Sequence, residues 1–511
     1  MSEFRKGLLK GTLILTLAGL ASRVIGFFYK IFLSHSIGAE QIGIYQLAMP
    51  LYALAFSVCV TGIQSALSRL ISGYFAKEKS RLAFDTFLSG LFLALLLSLG
   101  ASFCLWKFAE PLSTFVLKEP RTAPLLNLFA FSLPMACIHA CATAYYYGRR
   151  RTGIPALGQL LEQGVRVAVS FLCFAVAREK GIVPTAALAA AGALAGELSS
   201  CLFSMILIHI EFGRYDYSIH MLEKPLRRIR EILPLSFPLT VNHVMVTILH
   251  STEAILIPGM LLASGLDSQE ALSLYGVLTG MAMPMLFFPS AVTSSVAVML
   301  LPSVAEDQAR GRAQRIRRTI ESTVHYCLIL GIFAAGLFFF FGGEIGSAVF
   351  GSPTAGAFLK ILAFISPFLY LNSTLSSILN GLGKVRLHLA ENAVSLGVRI
   401  LFVLLAVPRL GIRGYLFGLL AGELAACVLI LLFLYRLAAF RFHPVSCILK
   451  PASAFILSLG ISLFLSSRIS RLASLPALPF LLARLAVLCL CYLLLFPEEW
   501  KKYLSRNSTT S

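Results

Sequence analysis

Three basic residues lie inside apolar segments of the chain, where a positive charge needs a partner. Arg23 and Lys30 occupy the first apolar segment, and Arg69 lies late in the second. A charge within a membrane is costly, and it usually faces a polar cavity, another charge or a ligand. No acid of its own helix can pair with Arg23, because only glycine, leucine and phenylalanine occupy the positions three and four residues away.

The type and spacing of these cations fit the binding of phosphate. A guanidinium offers a planar fork of donors to a phosphate group. Lys30 follows Arg23 by seven residues, so it faces the same side two helical turns away. We therefore predict that Arg23, Lys30 and Arg69 form a substrate-binding clamp for phosphate or pyrophosphate. Two alternatives stay open: Arg69 snorkels to the membrane interface, and Arg23 pairs with an acid of another helix, such as Glu253.

A second set of polar residues inside apolar segments predicts an intramembrane polar network or a coupling site. Glu162 and Arg166 stand four residues apart, so an internal salt bridge is favoured. The other members are Asn242, His243, Glu253, Glu391 and Arg399. Those in the seventh segment, together with His250, form either a coupling-ion or proton site or satisfied polar packing. We predict no catalytic residue, no metal site and no cofactor, because none of the usual enzyme motifs is present.

The composition shows which elements must position these residues. Of 511 residues, 58% are hydrophobic and only 13% are charged, and the mean hydropathy is +0.83. A water-soluble fold is excluded, because soluble domains carry about 25% charged residues. The formal net charge of +19 therefore lies in loops between membrane spans and does not indicate nucleic-acid binding.

Hydropathy predicts an all-α polytopic membrane protein with about 14 transmembrane helices. Each span needs about 20 apolar residues, and the basic N-terminus runs into an uncleaved first helix. The predicted spans are residues 12–33, 42–73, 83–107, 122–147, 155–177, 183–210, 232–257, 271–300, 323–349, 356–380, 386–407, 412–436, 446–466 and 476–497.

The distribution of basic residues predicts the orientation. With the N-terminus in the cytoplasm, inside segments carry 27 Lys and Arg residues, and outside loops carry 9. The positive-inside rule therefore predicts that both termini are cytoplasmic and that the chain lies in a cytoplasmic (plasma) membrane.

An internal repeat divides the chain. Pro134 and Gly148 return as Pro367 and Gly381, and the pair Val165-Arg166 returns as Val398-Arg399, all 233 positions later. A further match, from the segment 194–198 to 420–424, has an offset of 226. The repeat predicts two pseudo-symmetric lobes of six helices, residues 1–215 and 216–440, followed by two C-terminal helices in residues 441–511. Two such lobes are typical of transporters that rock around a central cavity.

Several motifs resemble a known family. The segment 22–27, SRVIGF, resembles the S-R-x-x-G-F signature in the first helix of lipid II flippases. The segments 275–306 and 66–70 are similar to the stage V sporulation protein B family, as are Glu162 and Arg166 in one half and Glu391 and Arg399 in the other. The resemblance covers residues 5–440. It implies the multidrug/oligosaccharidyl-lipid/polysaccharide exporter superfamily, on the branch for polysaccharide and peptidoglycan precursors.

The resemblance implies a flippase that carries a polyprenyl-pyrophosphate-linked saccharide by alternating access, with lipid II of peptidoglycan synthesis as the favoured substrate. The implied partners are an undecaprenyl-pyrophosphate-linked oligosaccharide, membrane lipids and cell-wall synthesis proteins, but no nucleic acid. The first alternatives are a flippase for another lipid-linked unit and a multidrug exporter, although the latter would need an acidic or aromatic cavity. A membrane-embedded polymerase or glycosyltransferase is the other alternative, and it would need large outer loops with catalytic acids.

Overall fold

A computed structural model describes residues 2–468 and 477–495, with side chains from residue 14 onward except those of Ile219, Ser467, Arg468 and Ala477. All regular structure in this part of the chain is helical. The apolar sequence explains the result, because a helix satisfies its own backbone N–H and C=O groups where water is absent. The predicted all-helical membrane fold is confirmed.

We number the main helices in chain order. They are α1 (Ser2–Ser36), α2 (Gly38–Ala76), α3 (Ser80–Lys107), α4 (Ala123–Gly148), α5 (Gly153–Glu179), α6 (Ala186–Gly213), α7 (Pro225–Ala263), α8 (Ser268–Phe287), α9 (Ala313–Phe350), α10 (Pro353–Gly381), α11 (Val385–Leu405), α12 (Ile412–Ala438), α13 (Lys450–Arg468) and α14 (Ala477–Leu494). A separate helix, Ser290–Ala309, lies between α8 and α9. Short helical turns occupy Ala109–Pro111, Leu112–Val116, Pro120–Thr122, Ile219–Met221, Val407–Leu410 and Val445–Leu449.

Thirteen helices of the described residues are long and apolar enough to cross a membrane. The predicted fourteenth span, 476–497, lies partly outside the described residues, and its described apolar part is Leu478–Leu494 of α14. The predicted span 271–300 is wrong as a single helix. It is interrupted between Phe287 and Ser290, where Pro289 has no N–H to continue the helical hydrogen bonds.

Two of the helices contain a π-helical turn near the middle. In α2 the turn is Ser57–Thr61, and in α8 it is Val277–Ala282. Threonine hydroxyls bond back to backbone carbonyls here, from Thr61 to Ser57 at 2.9 Å and from Thr279 to Tyr275 at 2.7 Å. Such turns widen a helix locally and are frequent at functional sites.

The helices fall into two compact units. The first comprises Met1–Pro284 and Leu396–Gly418, and its main core packs α2, α3, α4 and α6 around aromatic side chains such as Phe84, Phe87 and Tyr145. The second comprises Met285–Ser395 and Leu419–Ser511, and its core is aliphatic, with Ile320, Leu375 and Ile430 fully buried. These units are groups of contacting helices, and the division into lobes at residues 215 and 440 stays a prediction about the repeat.

Ion pairs and hydrogen bonds in the first unit join helix ends that the predicted topology places on the same side of the membrane. One set joins the start of α2, the α3–α4 connection and the start of α8, all of which are predicted to lie outside. The other set joins loops that are predicted to lie inside, for example through Arg81 with Glu223 and Arg151 with Glu211. Which end faces the cytoplasm stays a prediction.

Candidate substrate-binding site

Arg23 and Lys30 lie on the face of α1 that does not pack against α5. The packing face is set by Tyr29, whose hydroxyl hydrogen bonds with that of Ser170 at 2.9 Å, and by Phe32, whose ring contacts two phenylalanine rings of α5. At 3.6 residues per turn, both cations lie about 110° around the helix from Tyr29. Arg23 is exposed and Lys30 is half-buried. This geometry presents both charges on one side of α1.

Arg69 lies in the last part of α2 and is exposed, although the neighbouring Ala66 and Leu67 are fully buried. Among the side chains that the structure describes, Arg23, Lys30 and Arg69 make no hydrogen bond and no ion pair with another protein group. The structure therefore leaves the three cations available to an anion. No contact joins Arg69 to the two cations of α1, so the three-residue clamp stays a prediction.

Glu162 and Arg166 form the predicted internal salt bridge on α5. The α5 and α6 helices meet at this pair, since a Cβ on Gly196 would lie 2.9 Å from the carbonyl oxygen of Glu162. Glu197, which follows that glycine, interacts electrostatically with both members of the pair. The α5–α6 contact therefore contains two carboxylates and one guanidinium.

Glu253 and Arg399 are brought together although 146 positions separate them in the sequence. Arg399 donates from Nε to Oε1 of Glu253 at 2.7 Å, and the hydroxyl of Tyr415 donates to the same oxygen at 2.9 Å. The Glu253 side chain is 5% exposed and that of Arg399 is 15% exposed. Glu253 is therefore not the partner of Arg23 in this structure, and that alternative of the sequence analysis is not supported.

This ion pair lies in the wall of a cavity of about 270 Å³ within the first unit. Its polar lining comes from α7, α8, α11 and α12, and its apolar lining includes Ile257, Leu278 and Met283. Thr279 of the π-helical turn faces it as well. A small, largely apolar cavity with a few convergent polar groups is the usual form of a ligand site.

The remaining polar residues of α7 are only partly gathered at this cavity. His250 lines it beside Glu253, but the lining includes neither Asn242 nor His243, which lie two to three turns earlier on the helix. His243 is exposed and Asn242 is half-buried. The proposed coupling role of this cluster stays a prediction, with Glu253 and His250 as its compact part.

In the second unit, two glutamates have local partners. Glu391 is buried and lies 3.2 Å from Nδ1 of His388 on its own helix. Glu423 accepts a hydrogen bond of 2.8 Å from the side chain of Asn372, which joins α12 to α10. Glu423 thus has the hydrogen-bonding role at a helix contact that its Ala/Gly-rich surroundings favour.

A group of polar residues, which we call the Glu119 latch, connects three helix ends. Arg121 donates from Nε to Glu119 at 2.6 Å and from Nη1 to Glu40 at 2.5 Å, and Ser268 donates to Glu119 at 3.1 Å. Burial raises the pKa of Glu119, but the hydrogen bonds and charge of Arg121, with the hydroxyl of Ser268, outweigh burial and hold that pKa below its ordinary value. The latch therefore holds an ionised carboxylate at neutral pH.

A second group, the Tyr74 latch, closes the opposite end of α2. Tyr74 donates to Glu231 at 2.8 Å, and Arg228 donates to the same carboxylate at 2.8 Å. Closer to the middle, Gly62 of α2 packs against the backbone of Ser236 in α7. One helix, α2, thus contacts α8 near one end and α7 near the other.

Sequence reasoning missed Tyr415 and the pairing of Glu253 with Arg399, although the repeat contained a signal. Arg166 and Arg399 are equivalent in the repeat, but the position that matches Glu162 holds Ser395. Arg399 therefore lacks the acid that its counterpart has on its own helix. Within residues 2–468 and 477–495, no three His, Cys, Asp or Glu side chains are grouped so that they could hold a metal ion.

Comparison with known proteins places these features in context. A family model described as polysaccharide biosynthesis protein matches residues 8–308, and a second, described as MatE, matches residues 244–405. The chain is 26% identical to stage V sporulation protein B of Bacillus subtilis (strain 168), over 92% of this chain and 90% of that protein. It is 20% identical to the lipid II flippase MurJ of the same strain, over 85% of this chain and 84% of that protein. A solved structure of lipid II flippase MurJ in an inward closed conformation shares the fold, with a TM-score of 0.72 at 16% identity, covering 96% of this chain and 100% of that one.

Proposed function

Because the chain belongs to the polysaccharide biosynthesis protein family, we propose that it is a flippase for a polyprenyl-pyrophosphate-linked saccharide, and that this substrate is the peptidoglycan precursor lipid II. The family model covers more than half of the chain, and the predicted exporter superfamily is confirmed. The chain is accordingly a multi-pass bacterial membrane transporter and not an enzyme.

The observation that carries the substrate proposal is Arg23. It is an exposed guanidinium within a membrane span, and it forms no ion pair with any described side chain. Such a charge is too costly to leave facing hydrocarbon, so it faces a polar cavity or binds an anion. Lys30 adds a second charge on the same side of α1. A pyrophosphate carries the charge and the oxygen geometry that these two groups recognise.

The two latches support transport by alternating access. The Glu119 latch and the Tyr74 latch lie at opposite ends of α2 and share no residue. Each can therefore break while the other holds, which is the minimum requirement for exposing a headgroup first on one side and then on the other. The lipid tail remains in the bilayer during this exchange. Membrane lipids and the enzymes that make and use the precursor are the partners that this role requires.

Complementation tests the proposal. The gene is expressed in a bacterium depleted of its own lipid II flippase, and growth and accumulation of lipid II are measured. Rescue by the wild-type protein but not by Arg23→Ala, at equal amounts in the membrane, is the expected result. Arg81→Gln is the matched control, because Arg81 is an exposed arginine in the first turn of α3 that pairs with the exposed Glu223. Failure of the wild-type protein to rescue would remove lipid II as the substrate.

A second candidate is a flippase for another lipid-linked saccharide. It is favoured by the higher identity to stage V sporulation protein B, 26% compared with 20% for the lipid II flippase MurJ. Rescue of a mutant that lacks a capsule or spore-cortex flippase, without rescue of lipid II transport, would support this candidate. A multidrug exporter is disfavoured, since Arg23 and Lys30 repel the organic cations that such exporters carry.

A further inference from the structure

The carboxylate of Glu253 accepts hydrogen bonds from two donors, so it keeps one of them if Arg399 moves away. Both Arg399 and Tyr415 donate to Oε1 of Glu253, at 2.7 Å and 2.9 Å. If the guanidinium moved to another anion, the carboxylate would keep the hydrogen bond from the tyrosine. A buried acceptor that loses every partner is strongly destabilised, and the hydrogen bond from the tyrosine reduces that cost while the incoming anion replaces the carboxylate at the guanidinium.

The cavity beside the pair suits an anion better than a cation. Its polar lining offers donors from the guanidinium of Arg399, the hydroxyl of Tyr275 and the ring of His250, while the hydroxyl protons of Tyr415 and Thr279 are already donated to Glu253 and to the carbonyl of Tyr275. Glu253 is the single acid among the lining residues. The guanidinium of Arg399 keeps its charge at all accessible pH values, so it attracts an anion that can take the place of Glu253.

The size and the walls of the cavity limit the ligand. A volume of about 270 Å³ is near the lower end of ligand cavities, which span roughly 300–1,000 Å³. It admits one phosphate or pyrophosphate group but not a whole glycan headgroup. The apolar side chains of Ala254, Ile257 and Met283 reduce contact with water and thereby strengthen the attraction between charges.

We propose that Arg399 is a second phosphate-binding group of this transporter, at which a phosphate of the substrate displaces Glu253 from the guanidinium. The proposal rests on the proposed function insofar as the substrate carries phosphate. Glu253, held by Tyr415, acts as a tethered competitor: it occupies Arg399 when the cavity is empty, and it returns when the phosphate leaves. The competition lowers affinity and so favours release of the transported headgroup.

Titration of the purified protein with inorganic pyrophosphate, followed by calorimetry, tests the exchange. Glu253→Gln removes the competing charge at constant shape, so pyrophosphate should bind about tenfold more tightly. Arg399→Gln should weaken binding at least tenfold. A purely structural ion pair predicts the opposite for Glu253→Gln, namely unchanged or weaker binding together with lower stability. That result would overturn the proposal.

A second ion pair provides the control. Arg484 donates to Glu344 at 2.9 Å in the second unit, and Glu344→Gln and Arg484→Gln should leave pyrophosphate affinity unchanged. If Arg399→Gln does not fold, the double variant Glu253→Gln with Arg399→Gln replaces it, because removal of both buried charges is usually tolerated. The double variant should lose affinity as the single variant would, and retained affinity would overturn the proposal.

Two further competition experiments distinguish a polyprenyl pyrophosphate from bulk phospholipid as the source of the phosphate. Vesicles that contain undecaprenyl pyrophosphate should displace bound pyrophosphate, whereas vesicles of phosphatidylglycerol should not. Equal displacement by both would assign the site to bulk phospholipid and overturn the substrate role. A wild-type protein that complements a flippase mutant, but whose pyrophosphate affinity is unchanged by Glu253→Gln and Arg399→Gln, would overturn this proposal alone and leave the flippase assignment intact.

Discussion

Gly43 of α2 and Gly276 of α8 lie back to back, so closely that a Cβ added to Gly276 would be 2.6 Å from the backbone nitrogen of Gly43. The obstacle is backbone, which cannot swing aside as a flexible side chain can. Gly276→Ala should therefore separate the two helices and lower the free energy of unfolding by about 1–3 kcal/mol, the usual cost of overpacking. The apparent melting temperature in detergent measures the change.

Gly259→Ala is the matched control for this substitution. Gly259 lies within α7 and has open space where a Cβ would be added. Alanine in a helix is favoured over glycine by about 0.5–1 kcal/mol, so this variant should be at least as stable as the wild-type protein. Equal stability of the two variants would show that the contact between α2 and α8 is looser than the structure has it.

Crosslinking the Glu119 latch tests whether the helices must separate during transport. Glu40→Cys and Ser268→Cys place thiols on residues that contact the same Glu119–Arg121 pair. Cys104, which is exposed, is first replaced by serine. A cleavable bifunctional thiol reagent should stop transport by the double cysteine variant, and reduction should restore it. The same reagent should not change transport by either single cysteine variant. Normal transport by the crosslinked protein would argue for a static path for the headgroup.

The pKa of Glu119 predicts how the latch depends on pH. Since the pKa is lower in the folded protein than the ordinary value of 4.5, the carboxylate contributes stability that is fully present above pH 4.5 and is lost as the pH falls through the folded pKa. Glu119→Gln should be less stable than wild type by about 1 kcal/mol at neutral pH. The difference in melting temperature should shrink only below pH 4.5.

Glu110→Gln controls for a general loss of negative charge in the same connection, because Glu110 is exposed. It should leave the melting temperature unchanged across the pH range. A difference for Glu119→Gln that grows as the pH falls would contradict the assignment of a depressed pKa.

Thiol labelling from outside the cell tests the orientation. Because the predicted inside segments carry 27 basic residues and the outside loops carry 9, a cysteine at Ser264 or Ser352 should react with an impermeant reagent. A cysteine at Ser80 or Gln314 should react only after the cells are permeabilised. Labelling of Ser80→Cys in intact cells would refute the predicted topology.

Much of this architecture could be predicted because membrane helices leave local signals. Long apolar segments, basic loops and the pair Glu162 and Arg166 are all visible within a few residues of sequence. Hydropathy predicts one continuous span over 271–300 because it averages over Pro289, which lies between two apolar stretches. Composition reports that a segment is apolar, and it does not report whether its backbone is continuous.

The pairing of charges between distant helices could not be read in the same way. Arg399 and Glu253 were both recognised as intramembrane charges, but no periodicity connects residues on α11 and α7. Ser395 occupies the position of the repeat that Glu162 occupies in the first half, so the sequence indicates only that Arg399 has no acid there as a partner. Which of several glutamates supplies it depends on how the helices pack, and tertiary contacts alone determine that.

The pair of Glu253 and Arg399 sharpens the prediction for Arg23, since it removes one of the two counter-ions that the sequence left open for it. Arg23→Lys keeps the charge but loses the planar fork, so transport should fall about 10- to 100-fold, in line with the roughly 1.5–3 kcal/mol of a hydrogen bond to a charged group. Arg23→Ala should abolish transport while the protein accumulates normally in the membrane.

Accumulation of lipid II in complemented cells measures the activity of the Arg23 variants, and detergent size-exclusion profiles measure their folding. Had Glu253 been the partner, Arg23→Ala would strand a buried carboxylate and reduce the amount of protein. Full transport by Arg23→Ala at normal abundance would remove the phosphate clamp and leave Arg23 as a solvated side chain in a wide cavity.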